Sequence, residues 1–283
     1  MRPAVHRRRL RSELRAARQE AGLTQDQVAT AMDWSLSKVI RIEGGAVGIS
    51  TNDLKALLAC YQVTDDRKVQ ELIVLARGAR ERSWWSTYSD VANPRLLQYI
   101  EFEMAASALR AFQPLVVPGI LQTYDYARVL MRQFTGYASE QQIDKLIELR
   151  MRRQEILNSS DQSQFFFVLD EAVIRRTVGG RSVLHEQLLR LVELAGKSNV
   201  SIEVIPFSAG VHPGLEGEFS ILEFNDGNDD VLFQENSRSG MVQLTDPDAV
   251  LNYREIFEQL RRLSFGPDGS TNYLERIASD LSG

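Results

Sequence analysis

The side chains with the most specific chemistry in this sequence lie between positions 35 and 41. Arg41 carries a guanidinium that can contact guanine O6 and N7 together, and Leu36 can contact a thymine methyl group. Ser37 and Lys38 can reach base edges or phosphates, and Ser35 is a helix-capping residue type. On one face of a helix, this set would form a surface that reads base pairs.

Short helices must position these residues. Leu10, Leu14 and Ala17 repeat at helical spacing and predict a first helix, which ends at Gly22 because glycine readily adopts the left-handed conformation. Thr24 can cap a second helix. The apolar residues that face inward from this second helix are Val28, Ala29 and Met32.

The third helix holds the candidate reading residues. A turn at Asp33 and Trp34 precedes it, the following serine caps it, and Val39 and Ile42 face inward. A glycine pair closes it, and a fourth helix is predicted over about 51–61. Two short helices joined by a tight turn predict a helix-turn-helix, whose second helix can enter the major groove of DNA.

Phosphate contacts are expected at the start of the second helix. Thr24, Gln25 and the amide groups there suit a phosphate oxygen, which orients a domain without specifying sequence. Glu43 is expected to be structural, pairing with an arginine or a backbone donor of the bundle. A helical unit of this kind that contacts only protein is the alternative.

Charge divides the chain unevenly. Residues 1–62 contain ten Lys and Arg and six Asp and Glu, a net charge of +4, whereas the whole chain carries −5. Residues 63–283 therefore carry −9. A basic module can bind phosphates and release counterions, whereas an acidic one repels a nucleic acid. Only the N-terminal part is expected to bind DNA.

The stretch LTQDQVATAMDWSLSKVIRIEGG resembles the XRE family of phage-repressor-type DNA-binding domains over about residues 10–62. The LTQ start and the S-x-S-K-V-x-R-I-E-x-G close carry this resemblance together. One position departs from the family's pattern, because Ile40 stands where that family often has serine. This departure indicates either an apolar contact or a change of packing.

Residues 63–83 are predicted to form a connector. Asp65 and Asp66 suit a helix N-terminus, and the apolar residues that follow are spaced for a helix that runs into the next domain. The motif SWWSTYSDV comes next. Its Trp84, Trp85 and Tyr88 are interpreted either as core packing or as one wall of a ligand pocket.

The rest of the chain alternates between helices and strands. NPRLLQYIEFEMAASALRAFQ, YDYARVLMRQF and IDKLIELRMRRQEIL predict helices, with a Pro-Gly loop after the first. The runs QFFFVLDE, VSIEVIPF, GEFSILEF and DVLFQEN predict strands, with the helix SVLHEQLLRLVELAG between the first two. Helices around 247–263 and 270–281 end the chain. This order predicts a small mixed sheet covered by helices.

This larger part also resembles a known family. The blocks EFEMAASALRAFQPLVVPGILQTYDYARVLM, LDEAVIRRTVGG, VIPFSAGVHPGLEGEFSILEF and VLNYREIFEQL are similar to the DUF5753 domain of actinobacterial, WhiJ-like regulators over about residues 84–281. Regulators of that architecture are described as antitoxin-like and often occur beside a small DUF397 protein. The resemblance implies a transcription factor with an accessory partner.

Catalytic signatures are missing from the sequence. The three histidines are far apart, and neither a His/Cys metal motif, a G-x-S-x-G elbow nor a phosphate-binding G-x-x-x-x-G-K loop occurs. His212, Glu216 and Glu218 share a glycine-rich loop that could approach a ligand, although a turn between strands explains the glycines equally well. Asp170-Glu171 is interpreted as a helix-starting pair rather than an acid/base couple.

The sequence thus predicts a multi-domain chain with no cofactor, no metal and no membrane segment. An all-α helix-turn-helix domain over 1–62, a connector over 63–83 and an α+β domain over 84–283 are expected in the cytoplasm. The leading hypothesis is a homodimeric, sequence-specific regulator of a palindromic operator, whose C-terminal domain senses a small-molecule effector or a protein. The alternative is an antitoxin-like module that holds a small DUF397-like partner and regulates its own operon. Candidate ligand-binding residues are Trp84, Trp85, Tyr88, His212 and Glu216.

Overall fold

The computed structural model describes residues 3–45, 47–81, 83–136, 138–158, 163–225, 230–236, 240–244 and 246–282. The chain divides into two compact units, of which the first extends to Ser86 and the second begins at Thr87. In the part of the chain that is described, every helix is too short or too polar to cross a membrane.

The first unit is a bundle of helices. The described residues place them at α1 (Pro3–Glu20), α2 (Gln25–Ala31), α3 (Leu36–Glu43), α4 (Thr51–Cys60) and α5 (Asp66–Ala79). Gly22 adopts a positive φ of 67° just after α1, as its position in the sequence predicted. The helix-turn-helix is therefore formed by α2 and α3.

Side-chain caps begin four of these helices. Thr24 accepts the amide of Gln27, whose own side chain accepts the amide of Thr24, so that α2 opens with a complete capping box. Ser35, Ser50 and Asp65 cap α3, α4 and α5, each by accepting one backbone amide. The predicted caps at Thr24 and Ser35 are confirmed.

The predicted connector contributes to the core of the first unit. Helix α5 lies within it, and its apolar face joins the same buried cluster as the residues of α1 to α4. The buried residues of α5 in that cluster are Leu72, Ile73, Leu75 and Ala76. The first compact unit consequently extends beyond residue 62, where the sequence placed the domain boundary.

Helices α1 and α5 are in contact at Gly78. The imidazole of His6 lies directly on this glycine, with Nδ1 only 1.6 Å from the position that a Cβ atom would take. Glycine is costly inside a helix, and here it provides the space that the ring occupies. Burial lowers the pKa of His6, which favours its neutral form in the folded unit.

The second unit is an α+β domain. Its helices are α6 (Pro94–Ala105), α7 (Tyr124–Phe134), α8 (Glu140–Arg153), α9 (Glu171–Arg175), α10 (Arg181–Ala195), α11 (Pro247–Leu263) and α12 (Gly266–Ser282). Its strands are β1 (Ala108–Gln113), β2 (Gln164–Asp170), β3 (Val200–Ile205), β4 (Phe219–Glu223), β5 (Val231–Asn236) and β6 (Gly240–Leu244). The predicted fold class, all-α followed by α+β, is confirmed.

The strands form one mixed sheet in the order β3-β2-β1-β4-β5-β6. Strands β1, β2 and β3 are parallel, and the remaining pairs are antiparallel. Helix α11 covers one face, where Phe257 and Leu260 pack with Phe112, Val168 and Phe219. This core joins α11 to the sheet.

Two strands differ from the sequence prediction. Residues 108–113 were predicted as the end of a helix but form β1, because α6 ends at Ala105 and Ala106 adopts an extended conformation. Alanine, leucine, arginine and glutamine favour helices locally, and pairing with β2 on one side and β4 on the other outweighs that preference. Strand β6 lies beyond the strands that the sequence predicted.

The contact between His6 and Gly78 predicts that the effect of Gly78→Ala on the free energy of unfolding changes sign when the His6 ring is removed. Gly78→Ala should destabilise the first unit by about 1–3 kcal/mol because the new methyl group overlaps the imidazole. In a His6→Ala background, the same Gly78→Ala change should be neutral or stabilising, by up to about 1 kcal/mol, because alanine favours the helix.

Urea unfolding followed by tryptophan fluorescence measures this, since Trp34, Trp84 and Trp85 all lie in the first unit. An equal effect of Gly78→Ala in both backgrounds would show that the ring is not what the methyl group meets.

Candidate nucleic-acid interface

Helix α3 presents two different faces. Val39, Ile42 and Glu43 are buried against the bundle. Leu36, Ser37, Ile40 and Arg41 are exposed on the opposite side, as are the capping Ser35 and the following Gly44. Three of the four predicted base-reading side chains, Leu36, Ser37 and Arg41, therefore lie on one exposed helical face.

The buried end of α3 is held by one carboxylate. Glu43 accepts hydrogen bonds from Arg18 Nε at 2.8 Å, from Gln25 Nε2 at 2.8 Å and from the Tyr61 hydroxyl at 3.0 Å. These three donors come from α1, α2 and the end of α4. Glu43 thus has the structural role that the sequence predicted, and it joins α3 to the rest of the bundle.

The surroundings of Glu43 keep the Tyr61 hydroxyl in its donating form. Burial, together with the adjacent Glu43 carboxylate, raises the pKa of the Tyr61 phenol above its ordinary value. Arg18 donates a second hydrogen bond to the carbonyl of Leu23, at 2.7 Å, just before α2 begins. The turn into the helix-turn-helix is consequently tied to the same arginine.

Arg41 and Lys38 differ in the contacts that their charged groups make within the first unit. Among the residues that the structure describes, no carboxylate pairs with the exposed Arg41 guanidinium. The Lys38 ammonium lies 3.7 Å from the centre of the Trp34 ring and 3.5 Å from Asp53, and it is only half-exposed. Arg41 is therefore the better placed of the two to reach a base edge.

The predicted phosphate residues are partly occupied within the bundle. Thr24 uses both its amide and its hydroxyl oxygen in the capping box of α2. Gln25 is half-buried, and its amide group donates to Glu43. The hydrogen bond from Gln25 to Glu43 was not predicted from the sequence, and contact of Gln25 with a phosphate stays a prediction.

Much of the positive charge of α1 is used inside the first unit. Arg7 donates to the carbonyl of Ala79, Arg9 pairs with Glu71, and Arg11 donates to the carbonyl of Gly44 at 2.8 Å. Arg8 is buried. The net charge of the N-terminal part therefore overstates the number of cations available to phosphates.

Two of the three aromatic side chains in the motif after α5 are buried. Trp84 and Trp85 lie edge to face with their ring centres 5.6 Å apart, and Trp85 is buried. Tyr88 is buried in the second unit, and its hydroxyl interacts with Glu148 and Arg152. Packing is the interpretation that these contacts favour for Trp85 and Tyr88.

Two polar residues of the glycine-rich loop, His212 and Glu216, differ in burial. His212 is buried, with Nε2 3.3 Å from a carboxylate oxygen of Asp170, whereas Glu216 is exposed. Gly214 packs so tightly on Phe112 that a Cβ atom would lie 2.4 Å from that ring. Gly214 thus serves packing, and ligand binding by His212 and Glu216 stays a prediction.

Asp170 and Glu171 begin a helix, as predicted. Asp170 caps α9 by accepting the amide of Ala172. Glu171 accepts the amide of Phe207 at 2.8 Å and hydrogen bonds from Arg175 and Tyr273. Burial alone would raise the pKa of Glu171, but these hydrogen bonds outweigh it and lower that pKa.

Two features of the second unit were not anticipated from the sequence. A shallow depression of about 310 Å³ lies on the outer side of α11 and is lined by Arg254, Glu255, Glu258, Gln259 and Arg262. The segment after β3 exposes three apolar side chains, Phe207, Val211 and Leu215, and Val211 is 92% exposed. The sequence signal for this exposure is that Val211 and Leu215 stand in a segment rich in glycine and outside every predicted strand and helix.

Comparisons with known proteins agree with the division into two units. A family model described as a helix-turn-helix domain matches residues 9–72, and one described as a domain of unknown function, DUF5753, matches residues 96–276. No curated protein and no solved structure matched the chain. The first match ends inside α5, in keeping with the position of that helix in the first unit.

The carboxylate that holds α3 can be tested against a surface carboxylate of the same unit. Glu43→Gln should destabilise the first unit by about 3 kcal/mol, because it removes one partner of a buried ion pair and leaves Arg18 uncompensated. Asp53→Asn, which removes the half-exposed partner of Lys38, should cost less than about 1 kcal/mol. Urea unfolding monitored by tryptophan fluorescence compares them, and equal losses would contradict a special role for Glu43.

Proposed function

Because the chain belongs to the DUF5753 family and carries a helix-turn-helix domain before the DUF5753 region, we propose that it is a sequence-specific transcriptional regulator. The observation that carries this proposal is the exposed face of α3. Arg41 lies on this face and forms no ion pair with a carboxylate of the described residues, whereas Glu43 on the opposite face is bonded to the bundle. This regulator would act in the cytoplasm on a DNA operator and would catalyse no reaction.

Base reading is assigned to α3. Arg41 would contact a guanine through O6 and N7, and Ser37 and Lys38 would reach neighbouring base edges or phosphates. Thr24 and Gln25 would contact the phosphate backbone at the start of α2 and set the orientation of the domain. The second N–H of the Gln25 amide supports this role, since only one hydrogen bond to Glu43 is formed.

A homodimer would extend this reading to a palindromic operator. One helix-turn-helix covers only a half-site, and modules of this kind bind half-sites about one helical turn apart. The two surfaces on which we would place the dimer contact are the outer side of α5, where Val74 is 61% exposed, and the segment with Val211. Both surfaces expose a valine, and a valine that faces water contributes little to the stability of a monomer.

The second unit would respond to an effector or to a partner. The charged depression on α11 would suit a small polar molecule, whereas the exposed Phe207, Val211 and Leu215 would suit a protein surface. These apolar side chains favour the alternative hypothesis, an antitoxin-like module that holds a small DUF397-like protein and regulates its own operon.

Base reading by Arg41 has a direct test. Arg41→Ala should weaken binding to the operator by about 1–3 kcal/mol while binding to a scrambled duplex changes little. Arg67→Ala removes the same charge from the exposed start of α5 and should leave the ratio of the two affinities unchanged. Paired binding titrations on both duplexes measure this, and an unchanged ratio in Arg41→Ala would exclude Arg41 as a reader.

The dimer surface can be located with two matched variants. Light scattering at micromolar concentration should give twice the mass of one chain, and either Val74→Asp or Val211→Asp should halve it by placing a charge in the contact. Both positions are exposed, so neither change should lower the melting temperature appreciably. A monomer both with and without DNA would contradict the proposed dimer, and a dimer in both variants would exclude these two surfaces.

A further inference from the structure

Two large apolar side chains stand next to each other on the reading face of α3. Leu36 and Ile40 are 41% and 47% exposed, and neither belongs to the apolar core of the described first unit. Residues four positions apart in a helix are neighbours on its surface, so that these side chains form one apolar pair. The pair borders Ser37 and Arg41 on the same exposed face.

The position of this pair indicates what covers it. The carboxylate of α3, Glu43, is buried, so the exposed face combines a cation, a hydroxyl group and two hydrocarbon side chains with no negative charge. A phosphate-lined groove complements such a face electrostatically. Inside the major groove, the C5-methyl group of thymine is the apolar group that a base pair presents.

We propose that Leu36 and Ile40 select pyrimidines that carry a C5-methyl group, and that they lie beside the base read by Arg41. This inference rests on the proposed function and adds the chemistry of the half-site. Neither side chain can donate or accept a hydrogen bond, so the pair distinguishes bases only by the methyl group. Thymine and 5-methylcytosine both supply it at the same ring position.

The spacing of the pair limits which bases it reaches. Cβ atoms at positions i and i+4 lie about 5–6 Å apart, and successive base pairs are separated by about 3.4 Å along the duplex. Leu36 and Ile40 therefore contact methyl groups on base pairs one or two steps apart. The half-site should contain two such methylated pyrimidines near the guanine contacted by Arg41.

The first arm of the test removes methyl groups without changing base pairing, and the second compares cytosine with 5-methylcytosine, both opposite guanine. An operator is first selected from random duplexes with the full chain, and each thymine is then replaced singly by uracil. Two positions in each half-site should bind about fourfold more weakly, the ratio expected when one buried methyl group is removed. At those positions cytosine should also bind weakly, and 5-methylcytosine should recover binding relative to cytosine if the methyl group alone is read.

Variants assign each methyl group to a side chain. Leu36→Ala should remove the uracil effect at one of the two positions, and Ile40→Ala should remove it at the other. Arg41→Ala should bind more weakly overall but keep both uracil effects. Leu189→Ala, at a leucine of similar exposure on α10, should leave every value unchanged.

The outcomes separate this inference from the function on which it rests. A chain that selects no sequence overturns both. A chain that selects an operator but binds it equally well with uracil at every position overturns the inference alone. The inference also fails if 5-methylcytosine binds no more tightly than cytosine at the positions where thymine binds more tightly than uracil. If Leu36→Ala or Ile40→Ala lowers the mass in light scattering without DNA, the pair contacts protein instead, and the inference fails.

Discussion

The helix-turn-helix depends on the buried carboxylate of Glu43. A carboxylate withdrawn from water loses several kcal/mol of solvation, which only well-placed donors can offset. Arg18, Gln25 and Tyr61 supply those donors from α1, α2 and the end of α4, and each of them is therefore fixed by the same two oxygens. The orientation of α3 within the bundle follows from satisfying one charge.

This arrangement divides the cations of the first unit between two tasks. Arg7, Arg9, Arg11 and Arg18 stabilise the bundle through internal hydrogen bonds, and Arg11 also lies over the glycines that end α3. Arg41, on the opposite side of α3 from Glu43, makes no ion pair with a described residue. Net charge alone could not separate these tasks, because it counts a cation that holds a helix equally with one that can reach DNA.

Apart from the pairing of Glu43 with an arginine, the sequence predicted the features that depend on neighbouring residues and missed those that depend on distant ones. The caps at Thr24 and Ser35, and the turn at Gly22, follow from residues within three positions and are present. Strand β1 was predicted as helix because its local composition favours one, whereas its partners lie more than fifty residues away. The same reason explains why the hydrogen bond of Gln25 was not predicted, since its side chain donates to a carboxylate eighteen positions later. Polar residues whose partners are remote are thus the least predictable part of a candidate site.

The second unit shows how a buried polar pair can direct apolar residues outward. His212 turns inward to Asp170, which is fixed as the cap of α9, and Gly214 packs against Phe112 at the centre of the sheet. Because these two contacts hold the segment at both points, Val211 and Leu215 on either side of them face water. Exposed hydrocarbon on a segment anchored in this way cannot be relieved by a local shift of the loop. Its exposure is therefore a property of the fold, which favours a contact surface for another macromolecule over an incompletely packed core.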